Sequence, residues 1–439
     1  MVIKKWLCSL KFLLFLVFIM PTVAWSDSFD VLKGHEDEPP VKGSKLIPYA
    51  FYNENTGTAL AATYVAQGYI QPQTNIVTNF FYSTNNSYNF FYLLSDLQMP
   101  FEDRIFLDIY GFQSEWGEFD SYRDGNPRFN NERAGSNDSD KDNYINSQGS
   151  DDLLRLDFRY LLPIGHGQGK PIHKYVVKKN GVLVEGSESG GSEWNPLTSG
   201  RTFIEFNVFN REQDLEDQQD NRVQLKTTAV MLGLEYDNTD YWRNPTYGSR
   251  QRIAVTHDWG MHGDEGAEWT TIEAEYAKFF NLGASSSAFQ RVLAFNAWWI
   301  DTPTWDDSSE HDGKEIYHRP PSYQGATLGG LDRQRAFPSA RFNDRSAVNY
   351  ALEYRHMNKW NPFKNIPLIN NLRIPWWQWV GFAEVGRVHD EWDLSELHRD
   401  MKWTYGGGIR AMVEGVIVRV DLGLSKEDAG LQMFIGQTF

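Results

Sequence analysis

Alternation of apolar and polar side chains with a period of two constrains this chain more than any other feature. In Leu154–Tyr160 the even positions are Leu, Leu, Phe and Tyr, and the odd ones are Arg, Asp and Arg. The pattern returns in Ile204–Val208, Ile272–Tyr276, Val348–Arg355 and Val418–Leu422. A helix would scatter these residues around its circumference, whereas a strand places them on opposite faces. The chain is therefore built of strands with one greasy face.

What that face meets follows from the start of the chain. Residues 1–26 read as a secretory signal: Lys4 and Lys5, an apolar stretch from Phe12 to Met20, then Pro21 and the small residues around Ala24 and Ser26. The expected organisation is a signal over 1–26, a short extended segment over 27–46 and a β-barrel over 47–439. After the leader no run approaches the 18 or so apolar residues of a membrane helix. The exported chain is then a soluble sandwich or a membrane barrel, and strand length decides. Sixteen candidate strands fall at 48–54, 57–68, 72–83, 87–96, 103–114, 151–161, 201–209, 222–236, 248–258, 269–280, 289–300, 345–356, 373–387, 401–410, 414–425 and 430–439. Many are long enough to cross a bilayer at a tilt, and sandwich strands are usually shorter. The expected fold is all-β, a transmembrane antiparallel barrel of sixteen strands in the bacterial outer membrane.

With both ends periplasmic, the polar segments 115–150 and 301–344 become the third and sixth external loops. Residues 162–200 then form an unusually long periplasmic link. Within it 173–185 reads as a small hairpin about Asn180-Gly181, a place where the strand count could differ by a pair.

Composition removes several function classes. The net charge of -16 disfavours nucleic-acid binding, which relies on positive charge to displace phosphate counterions. The 28 Phe, 21 Tyr and 16 Trp are too much aromatic surface for a disordered chain. The only cysteine, Cys8, lies in the leader, so the exported part has no disulfide scaffold and no thiol nucleophile. No Gly-x-Ser-x-Gly elbow and no two-His zinc helix is present. The expectation is a protein that is not an enzyme, with no cofactor and no metal. Asp138, Asp140 and Asp142 lack the Gly and Glu of a calcium loop, and His389-Asp390-Glu391 reads as a loop cluster.

Four segments carry a family resemblance. They are Leu232–Asp240 with Pro245–Ser249; Leu328–Asp344 leading into Ala351–Arg355; Gly381–Val388; and Tyr405–Arg410 followed by Arg419–Asp421 and Leu431–Phe439. In order and spacing they resemble the bacterial surface-antigen family of BamA- and TamA-like outer-membrane barrels, firmly from about 230 onward. The resemblance implies that the sixth loop folds into the lumen and presents Arg335 to acidic residues on the wall, Glu353 and Glu384. The loop motif comprises Gly329, Gly330, Ala336 and Phe337, and Ala336 stands where the family has Gly. The resemblance also implies a tight turn at Asp237, Asp240 and Gly248, and an assembly strand ending in Met433, Ile435 and Phe439, with Leu431, Met433, Ile435 and Phe439 sharing one outward parity. Gly406, Gly407 and Gly408 lie two strands before the end.

The function so implied is membrane biogenesis, insertion or translocation through a labile seam between strands 48–54 and 430–439. An open edge offers unpaired amides and carbonyls to an incoming strand. Outer-membrane lipid, unfolded outer-membrane protein or lipid clients, and a separate periplasmic or lipoprotein partner are the expected associates. A passive channel for small solutes and a structural surface barrel are the alternatives.

Overall fold

The computed structural model describes residues 43–53, 56–191, 193–261, 267–311, 313–367 and 369–439. The expected signal and most of the 27–46 segment lie outside the described residues. One antiparallel sheet of sixteen strands forms the wall. The first four strands are β1 (Gly43–Asn53), β2 (Gly57–Gln67), β3 (Asn75–Ser83) and β4 (Tyr88–Met99). Next come β5 (Glu102–Ser121), β6 (Ile145–Leu161), β7 (Arg201–Asp217) and β8 (Arg222–Thr239). The third group is β9 (Gly248–Trp259), β10 (Glu268–Asn281), β11 (Ala288–Asp301) and β12 (Ser346–Asn358). The wall ends with β13 (Trp377–His389), β14 (Lys402–Val413), β15 (Val416–Leu424) and β16 (Ala429–Ile435). Each strand pairs with the next in sequence order, and each overlaps one that alternation predicts.

The differences are informative. The described residues of 162–200 add no strand to the wall; Val177 bridges Leu183 around Gly181. β1 begins at Gly43, so it takes in the end of the expected extended segment. β5 to β8 run 17 to 20 residues because their pairing continues into the loops above the wall. β16 stops at Ile435, four residues short of the expected end. Residues 302–345 leave the wall after β11 and return to its direct neighbour β12, with two small hairpins of their own, Ser308–His311 with Lys314–Tyr317 and Ala326–Leu328 with Phe342–Asp344.

Outward positions carry Leu60, Phe80, Leu232, Ile253, Leu352 and Leu431, all exposed. Aromatic side chains mark the two rims of this band. Phe101, Trp194, Trp242 and Trp360 stand at the lower end, beside β1's start, and Trp259, Trp392 and Trp403 at the upper. That arrangement suits a hydrocarbon slab between two wet interfaces. On the inward side residues 326–342 bury Ala326, Leu328, Ala336, Phe337 and Phe342 against Trp298, Ile300, Ala347 and Val388 of the wall. The upper mouth is thus filled by the chain's own loop, held from above by the 122–144 loop: Arg341 bonds Ser139 and Arg133 pairs with Asp344.

A charge in the middle of the outward face should therefore be costly. Leu352→Arg is expected to destabilise the barrel by about 2–4 kcal/mol, and Trp360→Arg at the lower rim by about 1 kcal/mol or less. Urea unfolding in lipid vesicles, read on a semi-native gel, measures both; equal losses would mean that Leu352 does not face hydrocarbon.

Candidate functional site

The sixth loop reaches the site through a tight local fold. Gly329 N donates to the Arg333 carbonyl (3.1 Å), Gly330 N to that of Phe337 (3.0 Å) and Phe337 N to that of Gln334 (2.9 Å). Gln334, at φ 54°, and Ala340, at φ 51°, are left-handed, and Ala336 is not. The methyl group at the position where the related motif has glycine therefore strains nothing and joins the loop's apolar core. Glycine is needed at Gly329, where φ is +106° and a Cβ would lie 2.1 Å from the Pro338 carbonyl oxygen, and again on the wall. Gly423 and Gly430 face each other on β15 and β16, and a Cβ on either would lie 2.8 Å from Ala336 N or 2.5 Å from the Arg335 carbonyl oxygen. The two last strands are shaped to let the loop backbone lie on them.

This contact delivers Arg335 to three acidic side chains. Its Nε donates to Glu384 Oε1 (2.9 Å), and its backbone N to Glu384 Oε2 (2.8 Å). One terminal nitrogen donates to Asp421 Oδ2 (2.6 Å), and the other lies 3.0 Å from Glu353 Oε1 as a charge contact without hydrogen-bond alignment. All four side chains are fully buried. The guanidinium lies over the Phe382 ring, 3.6 Å from its centroid. The apolar inward position next to Glu384 is thus the platform of the ion cluster. Glu353 also accepts from Arg355 (2.9 Å) and Arg410 (2.6 Å), so charges of both signs are balanced, as buried ions require.

The residues after β16 join the same cluster. Gly436, at φ +100°, turns the chain out of the wall and into the lumen. Thr438 Oγ1 accepts from Arg410 (2.9 Å) and Arg419 (2.8 Å), lies 3.4 Å from Arg335, and can donate to Glu353 (3.2 Å). Phe439 packs against Phe279, Val292 and Ala351 of the inner wall. Leu431 and Met433 do point outward, with Ile435 half-buried, but the expected lipid-facing Phe439 is corrected: it is buried in the lumen. Strand parity carries outward direction only while the strand lasts, and this one ends before Gly436.

The first and last strands make no ladder with each other among the described residues. The foot of β1 is tied elsewhere. Lys45 Nζ lies 2.7 Å from Glu414 Oε1 in the β14–β15 turn and 2.7 Å from the Asn371 carbonyl oxygen, while Gln67 bonds the Glu414 carbonyl (3.4 Å). The lower mouth is crossed by the 173–185 hairpin. Val182 packs on the cluster of Met357, Trp376, Met412 and Ile417 on the opposite wall.

The aspartates of the β8–β9 turn hold backbone. Asp237 accepts from Thr239 N (2.9 Å) and its hydroxyl (2.7 Å); Asp240 accepts from the amides of Thr246 (2.8 Å) and Tyr247 (3.2 Å). Burial pushes the Asp240 carboxyl up to about 6 against those bonds. Gly248 has φ +99°, and a Cβ there would lie 2.0 Å from the Asn238 carbonyl oxygen. Sequence reasoning did not assign Thr438, Arg355 or the Lys45–Glu414 pair to the site, nor Asp421 to Arg335. The inward parity of Glu353 with Arg355, and the facing pair Arg410–Arg419, were the available signals.

No protein-family model and no curated protein matches the sequence. Solved structures do match. CdiB from Escherichia coli superposes with a TM-score of 0.52 at 12% identity, over 91% of this chain and 62% of that one. BamA from Haemophilus ducreyi lacking POTRA domains 1–3 gives 0.46 at 12%, over 90% and 70%, and CdiB from Acinetobacter baumannii 0.46 at 11%, over 89% and 59%. The chain is a transmembrane β-barrel of sixteen antiparallel strands. At this identity the likeness to CdiB is one of fold, and the chain spans about three fifths of either CdiB.

Removing one member of a buried ion cluster leaves its partners uncompensated, which costs about 3–5 kcal/mol. Arg335→Ala is expected to lose that much stability. Arg335→Lys is expected to recover only part, because an ammonium cannot serve three carboxylates in one plane. In a double-mutant cycle with Glu353→Gln the combined loss should fall short of the sum by about 1 kcal/mol or more; strict additivity would dissociate the pair.

The link below has its own titration. His173 Nε2 lies 2.9 Å from the Ser187 carbonyl oxygen, and burial, with the nearby Arg201 and His166 charges, pushes the imidazole down to about 4. A depressed histidine favours the packed link above its ordinary value of 6.5, and that contribution is lost as pH falls through 4. Hydrogen-exchange protection of 173–187 should decline over that window and become pH-independent in His173→Gln; identical profiles would contradict the assignment.

Proposed function

We propose that this barrel acts in outer-membrane biogenesis, inserting or translocating outer-membrane protein or lipid clients through the seam between β1 and β16. The observation that carries the reading is the missing ladder, among the described residues, at that one place in an otherwise continuous wall. In a bilayer, unpaired strand edges are costly unless a partner strand or lipid headgroup reaches them. An edge kept open is therefore an edge available to an incoming client strand. The Arg335 cluster with Glu353 and Glu384 acts as a latch that holds the loop on β15 and β16 and keeps the last hairpin rigid. The strand carrying Met433 and Ile435, with Phe439 beyond it, is the segment that recognises or completes assembly. The process needs no cofactor and makes or breaks no covalent bond.

On this reading the upper loops face outward and the lower mouth faces the periplasm. There a separate periplasmic or lipoprotein partner would deliver clients past the 173–185 hairpin. A passive channel is disfavoured, because the sixth loop and that hairpin both occupy the lumen.

Two measurements separate the readings. A photo-crosslinker at Ala50 of β1 should trap newly made outer-membrane protein or lipid several-fold more than one at Leu232 of β8, and the intact protein should show little steady conductance in planar bilayers. Equal trapping at both positions with a large, steady current would favour the channel.

A further inference from the structure

The outward wall carries a groove that the seam does not explain. Register aligns one row of outward residues across the last strands: Leu293, Tyr354, Gly381, Gly407 and Leu422. Two adjacent members of that row have no side chain. The result is a groove of 580 Å³ on the lipid side of β12–β15. Its upper edge is the next outward row, Leu352, Ala383, Tyr405 and Leu424. Tyr354 and Leu422 stand about 14 Å apart across three strand spacings.

Nothing local demands these glycines. Gly381 and Gly407 lack a left-handed φ, a Cβ on Gly381 would meet no atom within 4 Å, and one on Gly407 only the Val380 carbonyl oxygen at 3.3 Å. Their backbone groups are engaged in ladders on both sides, so the floor offers no edge to a peptide strand. Apart from the Tyr354 and Tyr405 hydroxyls the lining has no polar side chain, so it holds nothing for a headgroup or a soluble ligand. The groove is continuous with the outward band that meets the bilayer.

We propose that the groove is a binding site for a single acyl chain of an outer-membrane lipid, held against the Gly381–Gly407 floor between Tyr354 and Leu422. A chain seated there exchanges its loose annular contacts for walls on several sides, gaining dispersion contacts that a flat wall does not offer. The site rests on the outward band alone and stands whether or not the seam opens.

The test uses the full barrel in vesicles containing a phospholipid with a photoactivatable diazirine on one acyl chain. Adducts mapped by mass spectrometry should be at least 5-fold more abundant on the groove residues than on Leu232 and Ile253 of β8 and β9. Gly381→Leu, whose side chain points into open space, should fold normally on a semi-native gel and abolish that excess, while Leu232→Ala should leave it unchanged. Uniform labelling around the barrel, or an excess that survives Gly381→Leu, would overturn the site. So would adducts to a second protein in place of lipid, in a parallel experiment with native membranes and a photo-crosslinker at Tyr405.

Discussion

A single guanidinium, that of Arg335, sets the arrangement of the barrel's C-terminal half. A buried arginine must find anions or be excluded, and the wall supplies Glu353, Glu384 and Asp421 from three different strands. That demand pulls the loop backbone onto Gly423 and Gly430, where any side chain would collide with it. The loop then seats its apolar residues against the inner wall and carries the upper mouth closed. Thr438, bonded to Arg410 and Arg419, draws the residues beyond β16 into the same cluster.

This has a consequence for the seam. The last strand is short because its lower continuation is committed to the lumen, and β1 is held at its foot by Lys45 and Glu414 rather than by β16. The wall is thus closed by polar contacts at its base and by the internal cluster, with no ladder between the two terminal strands among the described residues. Such a closure can be weakened without melting a sheet, because no backbone ladder has to break.

Much of this was legible in the sequence. Alternation located all sixteen strands, since a two-residue period under a lipid constraint admits few other readings, and the motif around Arg335 pointed to Glu353 and Glu384. What escaped depended on departures from periodicity. Phe439 shares the parity of Leu431 and Met433, and only the turn at Gly436 sends it inward. The 162–200 link contains a true hairpin pattern, yet Gly181 and Val182 meet Trp376 across the lower mouth instead of a wall neighbour. Ala336 stands where the related motif has glycine, but the left-handed geometry belongs to Gln334, and the glycines that the loop's path requires are Gly329 within it and Gly423 and Gly430 on β15 and β16. Contacts between residues more than 80 positions apart, such as Arg335 with Asp421, leave no local signature.

The central claim is that one arginine ties the sixth loop and the last strand into a single unit. Hydrogen exchange followed by mass spectrometry on the barrel in lipid, comparing the native protein with Arg335→Ala, tests it most directly. The account predicts that residues 329–344 and 429–439 lose protection together, while β5–β8 keep theirs. Loosening of the loop with the last strand still fully protected would contradict it.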